Sequence, residues 1–414
     1  MRNVISLNDG WRFVHRSDCD PACMPADGTT VTLPHTWNAV DGHDGHDILI
    51  NKAKDWSEGD LFGGNAEHYD RGAYWYYRQF ETPCQPLADG RVYVEIPAAG
   101  MQATVYVNGQ KAGYHEGGFS LFRFDVTDLC APKDNLLAIC VSNEYRTNIY
   151  PQHADFTFYG GLYRGVNLIS VPEAHFDLMY YGGPGIVVIP MDEDGTAVFD
   201  LQSFPKGTDE HHTVFYEIRD AQGTEVASAT RPASSPDVAL PVADVKRWSP
   251  TDPYLYTVRA CLLRRNEVVD EVRVRTGFRT FKCDSARGFI LNGRPTPLRG
   301  VCRHQDRLYQ GYALRHEDHV EDARLIKKLG ANAIRLAHYQ HAQDFYDACD
   351  ELGFVVWAEI PFISIMNEDP AAHENCVSQM KELIIQNMNH PSICFWGLSN
   401  EVLLAGKLSD TLIQ

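Results

Sequence analysis

Long hydrophobic runs, basic charge and closely spaced cysteines are scarce in this chain of 414 residues. No stretch approaches the roughly 20 consecutive apolar residues that cross a membrane as a helix. Lys and Arg number 37 against 55 Asp and Glu, which gives a net charge of −18. Nucleic-acid binding needs a basic face. The sequence therefore predicts a protein whose partners are neither nucleic acid nor a membrane.

The eleven cysteines are widely spaced and lie mostly within apolar runs. The closest pair, Cys19 and Cys23, has no second pair and no nearby histidines to complete a tetrahedral metal site. Reduced thiols in apolar surroundings are typical of a reducing compartment. The N-terminus also lacks an apolar segment followed by a cleavage site. We therefore expect a cytoplasmic protein without a metal or another cofactor.

The order of residue patterns predicts three domains. Residues 1–172 contain short β-branched and aromatic runs separated by Gly, Asn and Pro, and "VNGQ" (Val107 to Gln110) predicts a hairpin turn. Residues 173–281 continue this alternation over about a hundred residues, which fits an immunoglobulin-like β-sandwich. Residues 282–414 alternate apolar strands with helices, the pattern of a parallel sheet. Four such βα units make the first half of a (β/α)8 TIM barrel.

Polar side chains stand at the ends of all four predicted barrel strands. In chain order they are Arg303 and His304, Arg335 and His338, Glu359, and Asn400 and Glu401. The last pair ends "SICFWGLSNE", which we expect to be one strand that buries Leu398. Catalytic groups of such barrels lie at the C-terminal rim. Carboxylates, imidazoles and a guanidinium without a phosphate-binding glycine loop favour acid/base chemistry, and glycoside hydrolysis needs two carboxyl groups.

A purely structural interpretation of the same residues stays open. Strand-exit carboxylates, buried histidines with satisfied hydrogen bonds and an ion pair between Arg335 and Glu359 would give the same pattern. We therefore leave Glu359 outside the predicted site.

Longer blocks show a resemblance to glycoside hydrolase family 2, the family of β-galactosidases, β-glucuronidases and β-mannosidases. The blocks are "RGVCRHQD", "IRLAHYQHAQDFYDACDELGFVVWAEIP" and "NHPSICFWGLSNE". In addition, "DFTFYGGLYRGVNLI" resembles that family's sugar-binding domain, which implies a jelly-roll-like sandwich for residues 1–172. The form "RHQD" with "AHYQHAQ" is most similar to bacterial β-galactosidases. The resemblance implies a retaining exo-β-glycosidase that hydrolyses terminal β-galactosides.

The resemblance also implies a role for individual residues. Glu401 matches the family's general acid/base, and Asn400 matches the residue that contacts the sugar 2-hydroxyl. His304 and His338 match histidines that bind substrate, and Arg335 matches an arginine near the nucleophile. Asp155 matches an aspartate that reaches the sugar from the N-terminal domain. Ile363 and Ile365 stand where metal-dependent members carry a Glu and a His, so we expect no magnesium site. The family's nucleophilic Glu would lie beyond Gln414.

These implications lead to an expectation about the chain by itself. With the acid/base and without the nucleophile, we expect the 414 residues to be a fragment that is inactive alone. Complementation, in which a second chain or a swapped copy supplies the rest of the barrel, is an alternative. A β-glucuronidase or another β-glycosidase of the same family is an alternative. So is a non-catalytic carbohydrate-binding protein.

Overall fold

A computed structural model describes residues 1–41, 70–82, 90–152, 154, 156–193, 195–366 and 368–403. Within these ranges, no helix is long and apolar enough to span a membrane. The described chain forms two antiparallel β-sandwiches followed by a parallel sheet with helices. The predicted fold class is thereby confirmed, whereas the domain boundaries at residues 172 and 281 stay predictions.

The described residues of the N-terminal sandwich form ten strands in two antiparallel sheets, ordered β1-β10-β5-β8 and β3-β2-β4-β9-β6-β7. The strands are β1 (Asn3–Ser6), β2 (Trp11–Val14), β3 (Thr29–Val31), β4 (Ala73–Phe80), β5 (Arg91–Ile96), β6 (Gln102–Val107), β7 (Gln110–Glu116), β8 (Phe122–Asp125), β9 (Asn135–Ser142) and β10 (Asn167–Val171). Asn108 and Gly109 join β6 to β7 with φ of 53° and 78°, as a two-residue hairpin turn requires. The predicted turn is confirmed.

The second sandwich packs a three-stranded sheet, β12-β13-β17, against a four-stranded sheet, β16-β15-β18-β19, with β11 and β14 paired beside them. Its strands are β11 (His175–Phe176), β12 (Ile186–Glu193), β13 (Thr196–Ser203), β14 (Pro205–Lys206), β15 (His212–Arg219), β16 (Glu225–Pro232), β17 (Val238–Pro241), β18 (Tyr256–Arg264) and β19 (Glu267–Thr276). Phe199, Tyr216 and Phe278 are fully buried between the sheets. Two aligned antiparallel sheets around such a core are the immunoglobulin-like arrangement.

The third part begins with an antiparallel sheet of β20 (Phe281–Asp284), β21 (Gly288–Leu291) and β22 (Arg294–Pro295). It continues with β23 (Gly300–Arg303), α1 (His316–Lys328), β24 (Ala333–Leu336), α2 (Gln343–Leu352), β25 (Val355–Glu359), β26 (Ile363–Ile365), α3 (Pro370–Asn387), β27 (Ile393–Gly397) and β28 (Asn400–Leu403). The strands β23-β24-β25-β27 are all parallel. They confirm the predicted half-barrel as far as β28.

The helices end where the sequence provides a stop or a cap. Asp369 caps α3 by accepting a hydrogen bond from the Ala371 amide, and Pro370 follows at the first helical position. Gly353 ends α2 in the left-handed conformation with φ of 70°. A side chain at Gly353 would lie 2.8 Å from the backbone of Pro250, so glycine also allows the second sandwich to approach.

The prediction of one continuous strand over "SICFWGLSNE" is wrong. The strand β27 ends at Gly397, Leu398 is 67% exposed, and Asn400 begins a new strand, β28. Pro361 follows β25 on the neighbouring strand and has no amide hydrogen, so the regular ladder cannot continue there. The backbone pairs again when the Asn400 amide donates to the Phe362 carbonyl, and β28 then runs parallel to β26.

The helix α3 connects the half-barrel to the N-terminal sandwich. Four polar residues spaced three or four positions apart line one face of α3 and are buried or nearly so; they are Asn375, Gln379, Glu382 and Gln386. Each bonds to the sandwich or the segment that follows it, through the carbonyls of Glu116, Tyr150 and Leu121 and the ring of His115. This contact fixes which loops of the sandwich stand beside the rim of the half-barrel.

Candidate active site

Parallel register brings the polar strand ends to one rim. Arg335 lies level with Trp357, and Glu359 lies level with Gly397. Because side chains alternate along a strand, Ile334 and Leu336 bury toward the helices while Arg335 takes the opposite, inner face.

Glu359 is the centre of a hydrogen-bond network at this rim. Its side chain is 0% exposed. Nε of Arg335 donates to Oε2 of Glu359 at 2.9 Å. Nδ1 of His338 lies 2.6 Å from Oε1. The pairing of Arg335 with Glu359, which the sequence left open as an alternative, is thus present, and His338 shares the same carboxylate.

Gly397 makes room for this buried carboxylate. A Cβ atom at position 397 would lie 2.2 Å from Nε1 of Trp357, 2.6 Å from Cβ of Glu359 and 2.9 Å from its Oε2. These distances are well inside van der Waals contact. The glycine in "FWGLSNE" is therefore a requirement of the neighbouring strand.

The network extends to the strand that carries the predicted acid. Nη2 of Arg335 donates to Oδ1 of Asn400 at 2.8 Å, and Asn400 is 8% exposed. Glu401 follows at an exposed position. Its backbone has φ of 51°, in the left-handed region that residues other than glycine rarely occupy. Such conformations cluster at functional sites.

His304 joins the site from the first strand. The rings of His304 and His338 lie edge to face with centroids 5.2 Å apart. Nδ1 of His304 lies 3.1 Å from the Tyr339 hydroxyl. Burial raises the pKa of that hydroxyl above its ordinary value, so Tyr339 stays protonated and able to donate.

The N-terminal sandwich supplies the aromatic wall behind His304. Phe119 stacks on Tyr339 with ring centroids 4.2 Å apart and planes 6° apart. Phe156 lies 5.3 Å from the ring of His304 and the same distance from that of Tyr339. The predicted site residue Asp155 lies outside the described residues, so its role stays a prediction. Its neighbour Phe156 does reach the rim.

Arg303, the remaining polar strand end, faces away from this group. Its guanidinium bonds to Asp322 of α1 at 2.6 Å and lies 3.9 Å above the ring of Phe345 of α2. This arrangement attaches the first strand to the helices that cover it. Of the seven polar strand-end residues, Arg303 is the one with a purely structural contact set.

The described residues contain one group whose ligand atoms are close enough to hold a metal ion, Asp347, Asp350 and His390. Its atoms are already used: His390 bonds Asp350 at 2.6 Å, the Ser392 amide donates to Asp350, and Asp347 pairs with Arg275. At the rim, Ile363 is buried beside Met101, Ile149 and Phe158. The expected absence of a magnesium site stays a prediction.

Comparison with known proteins places this geometry in a family. Three models of one family match successive parts of the chain: "Glycosyl hydrolases family 2, sugar binding domain" over residues 5–172, "Glycosyl hydrolases family 2" over 186–279, and "Glycosyl hydrolases family 2, TIM barrel domain" over 285–414. The chain belongs to glycoside hydrolase family 2. For this family 2 chain, the order of the three matches is the order of the three parts of the fold.

Relatives of this family 2 chain carry two enzyme names. A "Beta-glucuronidase" from Bacteroides fragilis is 35% identical over 98% of this chain and 57% of its own length. A "Beta-galactosidase" from Thermoanaerobacter pseudethanolicus is 31% identical over 96% of this chain and 51% of its own length. The chain therefore spans about half the length of the curated relatives that it matches.

Solved structures of the family share the fold closely. An "FMN-binding beta-glucuronidase" from "Facaelibacterium prausnitzii L2-6" is 54% identical, with a TM-score of 0.89. The match covers 100% of this chain and 60% of the chain in that structure. A β-glucuronidase from Bacteroides uniformis is 33% identical, with a TM-score of 0.84. The match covers 100% of this chain and 49% of the chain in that structure.

Sequence reasoning named five of the residues that meet at the rim and left out Glu359, at the centre of the network. The signal for Glu359 was its position at the end of an apolar strand. In the paired sheet it lies level with Gly397. Complete burial of the carboxylate depends on Trp357 and Gly397, which meet it only after the strands have paired.

Proposed function

We propose that this sequence is part of a longer gene product, and that the full-length gene product is a retaining exo-β-glycosidase with Glu401 as its general acid/base. The observation that carries the proposal is the exposed Glu401 directly after Asn400, whose side chain is held by Arg335. Glu401 would protonate the glycosidic oxygen in the first step and deprotonate water in the second. The nucleophilic carboxylate of a retaining enzyme stands roughly 5 Å from the acid, and the family resemblance assigns it to a later strand.

The other rim residues have roles in sugar binding. Asn400 would contact the 2-hydroxyl, a hydrogen bond that can strengthen in the transition state. His304 and His338 would bind further hydroxyl groups. The positive charge of Arg335 would favour the ionised form of a neighbouring nucleophile. Asp155 would approach the sugar from the N-terminal sandwich.

Two sugars are candidates for the substrate. The blocks "RHQD" and "AHYQHAQ" favour a terminal β-galactoside. The names of the relatives with 54% and 35% identity favour a terminal β-glucuronide. Parallel assays with the nitrophenyl β-galactoside and the nitrophenyl β-glucuronide distinguish them, because the preferred sugar gives the higher kcat/KM.

Replacement of the acid/base tests the reaction itself. In the full-length gene product, we expect Glu401→Gln to lower kcat for glycosides with poor leaving groups by about 100- to 10,000-fold, the usual contribution of general acid/base catalysis. Glu374→Gln on the exposed side of α3 is the matched control and should keep full activity. Equal rates for Glu401→Gln and the control would refute the proposed role.

The 414 residues alone are expected to give no turnover, because a retaining mechanism needs a second carboxylate near the acid. Turnover by this chain that is abolished in Glu401→Gln would contradict that expectation. Galactose binding without turnover by the full-length gene product, lost in Asp155→Ala, would instead favour a non-catalytic carbohydrate-binding protein. The cytoplasmic location and a complementing or second chain stay predictions.

A further inference from the structure

We propose that Glu359 is a positioning residue that sets the direction of the hydrogen bonds which the rim offers to a sugar. The proposal deepens the function given above and rests on it for the identity of the ligand. Its basis is a fully buried carboxylate with both oxygens in use, Oε2 by Arg335 at 2.9 Å and Oε1 by His338 at 2.6 Å.

The contact with Glu359 determines which nitrogen of His338 carries the proton. An ionised carboxylate can only accept hydrogen bonds, so Nδ1 of His338 must donate. Arg335 already balances the charge of Glu359, so the contact needs only the single Nδ1 proton of a neutral imidazole. Its Nε2 is then an acceptor. No residue in the described part of the chain bonds to Nε2, which leaves it available to a sugar O–H group.

Arg335 fixes the side chain of Asn400 in a complementary way. Nη2 of Arg335 donates to Oδ1 of Asn400 at 2.8 Å, so the amide oxygen faces the arginine and the NH2 group faces away. Among the described residues nothing accepts a hydrogen bond from that NH2 group. Asn400 therefore offers donors where His338 offers an acceptor. The pair suits a ligand with one hydroxyl that accepts and another that donates.

A glutamine at position 359 cannot preserve this arrangement. Its amide has one acceptor oxygen and one donor NH2 group, whereas Arg335 and a His338 with the proton on Nδ1 both require acceptors. If the amide oxygen serves Arg335, the NH2 group faces Nδ1, which must then accept. The proton of His338 moves to Nε2, and the nitrogen that faces the ligand changes from acceptor to donor.

Nitrogen-15 NMR of the 414-residue chain labelled at histidine tests this directly. The His338 signals are identified by their loss in His338→Asn. We expect the unsubstituted chain to carry the proton on Nδ1 and Glu359→Gln to carry it on Nε2. The matched control is Glu95→Gln, which alters a similarly shielded carboxylate paired with Arg123 at 2.6 Å in the N-terminal sandwich, and it should leave His338 unchanged.

Several results would overturn the proposal. A proton on Nε2, or on both nitrogens, in the unsubstituted chain at neutral pH contradicts it without any substitution, so the test stands even where Glu359→Gln fails to fold. A proton that stays on Nδ1 in folded Glu359→Gln also contradicts it. Gly397→Ala gives an independent approach, because the new Cβ would displace Glu359; His338 should then show both tautomers.

Kinetics of the full-length gene product separate this inference from the proposed function. A substrate that lacks the hydroxyl bound by His338 should lose roughly 3- to 10-fold in kcat/KM, and the loss should shrink in Glu359→Gln but persist in Glu95→Gln. The expected tautomers with no hydrolysis of any glycoside would refute the proposed function alone. Hydrolysis with the proton of the unsubstituted His338 on Nε2 would refute the positioning role alone.

Discussion

Gly397 of β27 and Glu359 of β25 stand at the same level of neighbouring strands. In Gly397→Ala the added carbon would lie 2.2 Å from Nε1 of Trp357, and both neighbours would have to move. Overpacking of this kind costs about 1–3 kcal/mol. We expect a lower urea midpoint for Gly397→Ala and, in the full-length gene product, reduced activity.

Gly300→Ala in β23 is the control for this substitution. A Cβ at position 300 would approach the carbonyl oxygen of Ala333 at 3.1 Å, a tight contact that a shift of a few tenths of an ångström relieves. We expect a smaller loss of stability for this variant. Equal urea midpoints for the two variants would show that the space at Gly397 is not required.

A second residue-scale effect concerns the pair of His390, which is largely buried, and Asp350, which is fully buried. Burial lowers the pKa of His390, but the charge and hydrogen bond of Asp350 outweigh it, and the pKa is raised above its ordinary value. The pair therefore stabilises the fold fully below the ordinary histidine pKa, about 6.5, and loses this contribution as pH rises through the higher pKa of the folded state.

Urea unfolding of the 414-residue chain between about pH 6 and 9 measures this effect. We expect the free energy of unfolding to fall with rising pH by more in the unsubstituted chain than in His390→Gln, where position 390 cannot titrate. Parallel pH profiles for the two proteins would assign the dependence to other groups.

The residue types in the sequence indicated which side chains form the site, but the sequence did not indicate which of them are buried. The polar strand ends were visible in the sequence, and the pairing of Arg335 with Glu359 was one of two interpretations that it allowed. The sequence could not show that Glu359 loses all contact with water, since that depends on side chains of two adjacent strands. Nor could it show that Arg303 turns toward α1 and α2, because the two faces of a strand exchange with a one-residue change of register.

At the scale of elements, the polar face of α3 holds the N-terminal sandwich in place. Gln386 makes the densest contact: its Nε2 donates to the carbonyls of Leu121 and Tyr181, both at 2.8 Å, and its Oε1 accepts from the Leu121 amide at 3.1 Å. Because the same sandwich places Phe119 and Phe156 beside the rim histidines, this contact positions part of the site from a distance.

Gln386→Ala should weaken the contact between α3 and the sandwich. The substitution leaves partly buried backbone groups of Leu121 and Tyr181 without these partners, at a cost of up to about 1–3 kcal/mol. We expect a lower urea midpoint together with faster proteolysis near Tyr181. Glu374→Ala on the exposed face of the same helix is the control. A midpoint equal to that of the control would show that the hydrogen bonds of Gln386 do not stabilise this contact.

Helix ends rest on local signals in the sequence, here the cap at Asp369 and the glycine stop at Gly353. The interruption between β27 and β28 has no such local signal, because it depends on pairing with a different segment of chain. Pro361 breaks the ladder on the neighbouring strand, and the hydrogen bond from Asn400 to Phe362 re-forms it. An apolar run that looks continuous in sequence thus becomes two strands with Leu398 exposed between them.

At the scale of the whole molecule, the inner face of the four-stranded sheet is accessible to solvent as far as the described residues show. Cys302 is exposed there, as is Trp357, with 43% of its surface accessible. In the 414-residue chain we expect a thiol reagent to label Cys302 far faster than the buried Cys349 and Cys394. Mass spectrometry of tryptic peptides measures this.

The full-length gene product should protect Cys302, because the family resemblance assigns four further strands to the barrel and a closed barrel has a packed interior. Cys283, also exposed but in the antiparallel sheet that precedes the barrel, is the control and should react equally in both proteins. Equal labelling of Cys302 in both would argue against closure over this face.

Domain order and fold class were predictable from the sequence because each rests on many residues. Strand periodicity over some hundred positions and the alternation of strands with helices each repeat the same signal. The choice of sugar depends on few residues, and tertiary packing sets their positions relative to one another. That is why the sequence favoured a β-galactoside while relatives of either name share the fold.

Every bond around Glu359 is made within β24, β25, β28 and the turn that carries His338. The group is thus confined to one contiguous piece of gene. Recombination downstream of that piece would leave all of its bonds intact. Relatives named for glucuronides and for galactosides, at 35% and 31% identity to this chain, are therefore compatible with a shared network in this piece and with divergence outside it.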